Sequence, residues 1–249
     1  MPDKVLMMAE HSSVYHGNKE PKHISGSQFG SSMLQLWLAN KYGKDIKPFR
    51  VGQNTIGSIF HLGMETAAKQ LFGEEVLTEH AVSRVLPNGW TITGTIDLVD
   101  REEKEIVDYK TGKMYSLKVQ KQEPRHGYNL QLNAYKWAAK LPDYRMYDAF
   151  FMKDNKEIIG EKAYIKHEVK DIPTFVTEAV DFTNELQDWI ERDEAPPKCD
   201  TWMRMDDTKA KGGKLVPSRC LLYCDVAQSC PHLEPYIVQQ FQAKCLTNG

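Results

Sequence analysis

Between Thr91 and Lys110 the chain reads TITGTIDLVDREEKEIVDYK, and no other stretch constrains the fold as tightly. Thr91, Thr93, Thr95 and Asp97 alternate with Ile92, Ile96 and Leu98, the period-2 pattern of a half-buried strand. A charged turn, Asp100 to Glu105, leads into a second strand, Ile106 to Lys110. A hairpin turning between Glu102 and Glu103 puts Asp97 opposite Asp108, on the same side of the sheet. Lys110, two residues further on, projects to that side as well. Like charges facing one another destabilise a sheet. A divalent cation offsets such a pair, because Mg²⁺ or Mn²⁺ is commonly held by one or two carboxylates with water and phosphate. The same pattern in isolation also suits an ordinary solvated hairpin, so the rest of the chain has to decide.

A length of 249 residues suffices for a buried core, and 41% hydrophobic with 27% charged residues is the balance of a soluble globular protein. No apolar run reaches transmembrane length, and MPDKVLMMAEHSSVYHGNKEPKH lacks the apolar core of a secretion signal. The formal net charge of −2 excludes a generally basic nucleic-acid coat, so any phosphate contact must come from local clusters or a bound cation. An odd number of cysteines, all beyond residue 198, points to a reducing, cytoplasmic-type compartment.

In chain order, residues 1–24 read as an irregular lead-in. A first helix is expected in QFGSSMLQLWLANKYG, capped by Ser25 or Ser27 and stopped by Gly43. A second is expected over about 52–72, with Ile56, Ile59, Phe60, Met64, Ala67, Ala68 and Leu71 as its apolar stripe and His61 and Glu65 sharing a neighbouring face. A strand opening at Glu79 and a turn at Pro87-Asn88-Gly89 lead into the hairpin. After Lys110 the spacing predicts a polar, basic loop with Lys113, Lys118, Lys121, Arg125 and His126. A helix then runs from Tyr128 to Leu141, with Gln131 and Tyr135 one turn apart. MYDAFFM reads as a central strand and EKAYIKHEV as an edge strand. A long amphipathic helix over about 172–192, capped by Asp171, completes the order. The fold class expected is α/β (α+β): a central mixed β-sheet flanked by helices over residues 25–195, with a cysteine-rich, metal-binding segment over 196–249 packed on it.

Cys199, Cys220, Cys224 and Cys230 have the spacing C-x20-C-x3-C-x5-C. Thiolates gathered this way select Zn²⁺ or an iron–sulfur cluster. Cys245 lies past the group.

With these pieces in order, the chain resembles the RecB-like branch of the PD-(D/E)xK nuclease superfamily, which includes CRISPR-associated iron–sulfur nucleases and phage exonucleases. The resemblance rests on Ser25-x-Ser27, His61, Gly94-x-x-Asp97, Asp108-x-Lys110 and Gln131-x-x-x-Tyr135, with the cysteine tail extending it. It implies a restriction-endonuclease-like core. Asp97, Asp108, His61 and the Tyr109 carbonyl would hold Mg²⁺ or Mn²⁺, and Lys110 would serve the attacking water or the phosphate. Ser27 would contact the strand, Gln131 and Tyr135 would bind or orient the strand or orient Lys110, and Glu65 and Glu79 are candidates for an outer-sphere role. Members with a cluster usually draw one cysteine from the first-helix region. Here none precedes Cys199, which leaves a [4Fe–4S] cluster and Zn²⁺ both open.

The function expected is that of a metal-dependent DNA exonuclease in recombination, repair or phage DNA processing. It would act in the cytoplasm of a bacterial or phage-infected cell, beside a helicase, recombinase or single-strand-binding protein. A structure-specific endonuclease and a non-catalytic DNA-binding scaffold are the competing readings.

Overall fold

The computed structural model describes residues 21–44, 48–112, 114–122, 126–152, 163–197, 199 and 224–233. It divides into two compact units, one of residues 1–30 and 53–184, the other of residues 31–52 and 185–249.

The first unit is built on a six-stranded mixed sheet. In chain order its strands are β1 (His23–Ser25), β2 (Val76–Val85), β3 (Thr91–Asp100), β4 (Glu105–Gly112), β5 (Arg145–Met152) and β6 (Tyr164–Lys166). β3 is the organising strand. β2 runs antiparallel along one of its edges from Thr91 to Asp100. Its other edge is shared: β1 pairs in parallel with Thr91 to Thr93, and β4 pairs antiparallel with Leu98 to Asp100. Gly94 to Asp97 therefore face a break between two partners, and the break is where the chemistry-bearing residues collect.

The hairpin has the register counted from its turn. Asp100 pairs with Glu105 and Leu98 with Val107, so Asp97 falls one step further on, across from Asp108. The turn is closed by Asp100, whose Oδ1 accepts the backbone N–H groups of Glu102 and Glu103 at 3.0 and 2.8 Å. β5 lies parallel to β4, with Asp108 beside Asp148 and Lys110 beside Phe150. As its near-continuous apolar sequence requires, β5 is internal, and β6 closes that side of the sheet as an edge.

Helix α2 (Pro48–Phe72) brings Phe60 and Met64 onto the sheet face of Val107, Tyr109 and Ala149. The opposite face carries Phe150 and Ile165. They pack with Leu117 and Met114 of α3 (Met114–Gln122) and with Tyr128 of α4 (His126–Ala138). Burying each such aliphatic or aromatic side chain stabilises the fold by about 1.5–3 kcal/mol. Helix α5 spans Ile172–Arg192. Asp171 caps it, its Oδ1 accepting the Thr174 N–H at 3.0 Å.

Several expectations are corrected. The irregular lead-in ends sooner than residue 24, since His23–Ser25 forms a strand, while residues 1–20 lie outside the described ones. Ser25 precedes only a short 3-10 turn, Gly26–Gln28, and helix α1 starts later, at Met33 after Ser32. The stretch beyond Lys110 is not a loop throughout, because α3 forms there. The apolar stripe of α2 is only partly buried: Ala68 is covered, but Ile56, Ile59 and Leu71 are exposed. Among the described residues no helix is long and apolar enough to cross a membrane.

In the second unit, α1 (Met33–Tyr42) buries Leu34, Trp37 and Leu38 against Val226, Trp189 and Ile190. The Trp37 indole N–H donates to the Trp189 carbonyl at 3.1 Å. Cys224 and Cys230 pack at the margin of this cluster. Cys199 is also described, whereas Cys220 and Cys245 lie outside the described residues.

Candidate active site

Where β3 loses its ladder with β4, side chains replace backbone partners. The Tyr109 N–H donates to Asp97 Oδ2 at 2.6 Å, a charge-assisted bond that locks the carboxylate in the break. The other Asp97 oxygen, Oδ1, lies 3.2 Å from Nδ1 of His61, presented by α2. Glu79 of β2 comes to the same place, its Oε1 3.7 Å from His61 Nδ1. His61, Glu79 and Asp97 offer ligand atoms that all lie within 4.8 Å of one another. A nitrogen and two carboxylates at that spacing suit a divalent cation such as Mg²⁺ or Mn²⁺.

Glu79 has a left-handed backbone, φ 47°, in the middle of a strand. It sits between the pairs Thr78–Leu98 and His80–Ile96, hence across from Asp97. That conformation costs a non-glycine residue about 1–3 kcal/mol and persists where surrounding structure enforces it. Counting back from the Asn88-Gly89 turn would have revealed Glu79's position opposite Asp97. Glu79 thus stands among the candidate ligands, nearer than the outer-sphere role expected from the sequence.

Asp108 is 5% exposed and engaged on both oxygens. Lys110 Nζ donates to Oδ2, and Gln131 Nε2 donates to Oδ1 at 2.8 Å. Gln131 Nε2 also lies 3.2 Å from the Tyr135 hydroxyl, so the two α4 residues act on Asp108 as one arm. The Lys110 ammonium also lies over the Tyr128 ring, 4.3 Å from its centroid. Ser27 is less directly connected. Its hydroxyl bonds that of Ser25 at 2.9 Å on the surface, on the turn whose Gly26 abuts the Tyr135 ring. Glu65 forms an ion pair with Lys69 at 2.6 Å. A cleft of about 580 Å³ opens beside the site, lined by Gly57, Ser58, His61, Leu62, Glu65, Glu79 and Thr111.

The electrostatics follow from burial and crowding. Burial pushes Asp108 up to about 6, with Lys110 opposing the shift and the charges of Asp97 and Asp148 adding to it. Burial works against the Lys110 ammonium, yet the carboxylates of Asp108 and Asp148 outweigh it and hold its pKa above the usual lysine value. The Asp97 hydrogen bond raises His61, and burial raises Glu79. Burial also pushes Tyr109 up to about 12. An excess of carboxylate charge is thus packed around too few cations, as expected where a further cation is to be held.

Among the cysteines, burial raises Cys230, and the nearby Cys224 and Cys199 add to the shift. Gln35 Nε2 of α1 donates to Cys224 Sγ at 3.5 Å.

Comparison with known proteins shows the family. The family model described as the PD-(D/E)XK nuclease superfamily matches residues 68–231. No curated protein matches the chain. The crystal structure of SSO0001 superposes with a TM-score of 0.57 at 18% identity, covering 93% of this chain and 96% of that one. A phage-related exonuclease from Haemophilus somnus 129PT gives 0.46 at 12% identity over 74% and 85% of the two chains. The alkaline exonuclease LHK-Exo from Laribacter hongkongensis gives 0.41 at 8% identity over 69% and 89%. With residues 68–231 of its 249 matched, including Asp97, Asp108 and Lys110, the chain belongs to the PD-(D/E)XK nuclease superfamily.

Proposed function

We propose that the protein is a divalent-cation-dependent DNA nuclease, acting as an exonuclease on DNA ends or single strands. The observation that carries this reading is the convergence of Asp97, Asp108 and Lys110 at the break in β3's ladder, with His61 and Glu79 on one side and Gln131 and Tyr135 on the other. His61, Glu79 and Asp97 would hold the cation, with Asp108 and the Tyr109 carbonyl as further oxygen donors. A bound Mg²⁺ or Mn²⁺ makes water a better nucleophile at neutral pH and screens the charge developing on phosphate. Lys110 carries a fixed positive charge that would face the phosphate and stabilise the pentacovalent charge, a role suited to an ammonium held by carboxylates. Gln131 and Tyr135 orient Asp108. Ser27 would contact the strand at the surface.

Digestion of end-labelled linear DNA and of covalently closed circles, single- and double-stranded, with Mg²⁺, Mn²⁺ or chelator tests the reading. An exonuclease degrades linear DNA, spares the circles and stops with chelator. Cut circles would establish an endonuclease, and binding without cleavage a scaffold.

For the second unit we propose a structural metal group on Cys199, Cys220, Cys224 and Cys230, with iron–sulfur and zinc separated by visible absorbance and metal content. The fit rests on the cysteine spacing and on the closeness of Cys199 and Cys224 to Cys230, Cys220 lying outside the described residues. Thiolates so placed need a cation to become stable ligands.

A further inference from the structure

Behind the site lies a second buried carboxylate–imidazole pair that the motifs do not include. In the parallel register of β4 and β5, Asp148 stands beside Asp108. Neighbouring strands are about 4.8 Å apart, and paired residues project to the same face. Asp148 is 1% exposed, the only carboxylate within the apolar run MYDAFFM. His167, which follows β6 and is 4% exposed, brings its Nε2 to 2.9 Å from Asp148 Oδ2. The His167 backbone is fixed there, its N–H donating to the Met146 carbonyl at 2.9 Å.

This pair is poorly satisfied for its depth. Beyond their 2.9 Å contact with each other, neither the Asp148 carboxylate nor His167 Nε2 has a hydrogen-bond partner among the described residues. A buried carboxylate without such bonds is costly, and natural folds retain few of them. Its field reaches the site directly, because Asp148 acts on both Asp108 and Lys110.

Building on the nuclease reading, we propose that Asp148, anchored by His167, is a positioning residue that holds the Lys110 ammonium in place when Asp108 turns its oxygens to the divalent cation. Lys110 Nζ now bonds Asp108 Oδ2, an oxygen the cation would draw on. A cation entering there competes with the ammonium. A second carboxylate beside the first keeps Lys110 at the site after Asp108 is engaged, while His167 prevents Asp148 from swinging forward to become a ligand itself. Without Asp148, Lys110 stays on Asp108 and opposes cation entry.

The test compares wild type with Asp148→Asn and with the Asp148→Asn/His167→Gln double variant. The double variant removes both ionisable groups of the pair, so it decides if the single variant does not fold. Mg²⁺ binding is measured by calorimetry on metal-free protein, and kcat and KM on end-labelled DNA across a Mg²⁺ titration. Removing outer partners of a metal site typically costs about 10–100-fold. The expected result is Mg²⁺ binding weakened roughly tenfold and kcat lowered by a similar factor, with KM for DNA within about twofold of wild type. Folded variants with wild-type Mg²⁺ affinity and kcat would overturn the proposal. If wild type cleaves no DNA, the nuclease reading fails, and the Mg²⁺ binding comparison still decides the role of Asp148.

Discussion

Tyr135 lies against the bare α-carbon of Gly94, so closely that a β-carbon there would stand 2.2 Å from its Cε1 atom. Gly26 leaves similar room, since a β-carbon there would fall 2.5 Å from the same atom. Two glycines distant in sequence thus form a slot for one ring. The ring's hydroxyl meets Gln131, and Gln131 meets Asp108.

Gly94→Ala therefore acts on the site through Tyr135. Overpacking of this kind costs about 1–3 kcal/mol of stability. The displaced ring releases Gln131 from Asp108, and nuclease activity is expected to fall by roughly 10–100-fold. Tyr135→Phe keeps the ring and loses only the hydroxyl, so its loss should be smaller. Denaturant unfolding and DNA digestion of the two variants check the order.

The pH dependence of stability has a definite sign. Asp108, Glu79 and His61 all have raised pKa values in the folded, metal-free protein. Each binds protons more tightly folded than unfolded, so its contribution is present at low pH and lost as pH rises. For Asp108 the window runs from its ordinary value to about 6, and for His61 it extends above 6.5. Metal-free protein should lose roughly 5 °C in Tm between pH 5 and pH 8. Saturating Mg²⁺ should remove that fall, because the cation binds the deprotonated groups. Calorimetric scans with and without Mg²⁺ read both effects.

Asn88 offers a control away from the chemistry. Its amide donates to Thr183 Oγ1 and Asn184 Oδ1, each at 2.8 Å, tying the β2–β3 turn to α5. Asn88→Ala should cost about 1–2 kcal/mol of stability. Activity at 20 °C should stay within about twofold of wild type, since a loss of this size leaves the protein folded. Unfolding curves paired with digestion rates separate this outcome from that of Gly94→Ala.

What can be read from the sequence is what depends on local rules. The hairpin register follows from a turn of fixed length and strict alternation, so counting residues from the turn is enough to bring Asp97, Asp108 and Lys110 together. Helix α5 is legible from Asp171, Pro173 and its apolar face. Helix α2 is harder, because it carries apolar residues on more than one side. Periodicity alone does not say that Phe60 and Met64 meet the sheet while Ile56 and Ile59 face outward. Helix α3 is hidden by its polar composition, and β1 by its length. Glu79 is within reach of the same counting, from the Asn88-Gly89 turn. Asp148 and His167 are not, because their positions depend on strand pairing between segments far apart in the chain.

Whether Asp108 and Lys110 carry phosphodiester cleavage is decided by digestion of end-labelled DNA with Asp108→Ala and Lys110→Ala beside wild type. With Mg²⁺ or Mn²⁺ present, wild type should degrade the DNA, and each variant should lose at least about 100-fold in rate while remaining folded. Folded variants that digest DNA at the wild-type rate would contradict the account.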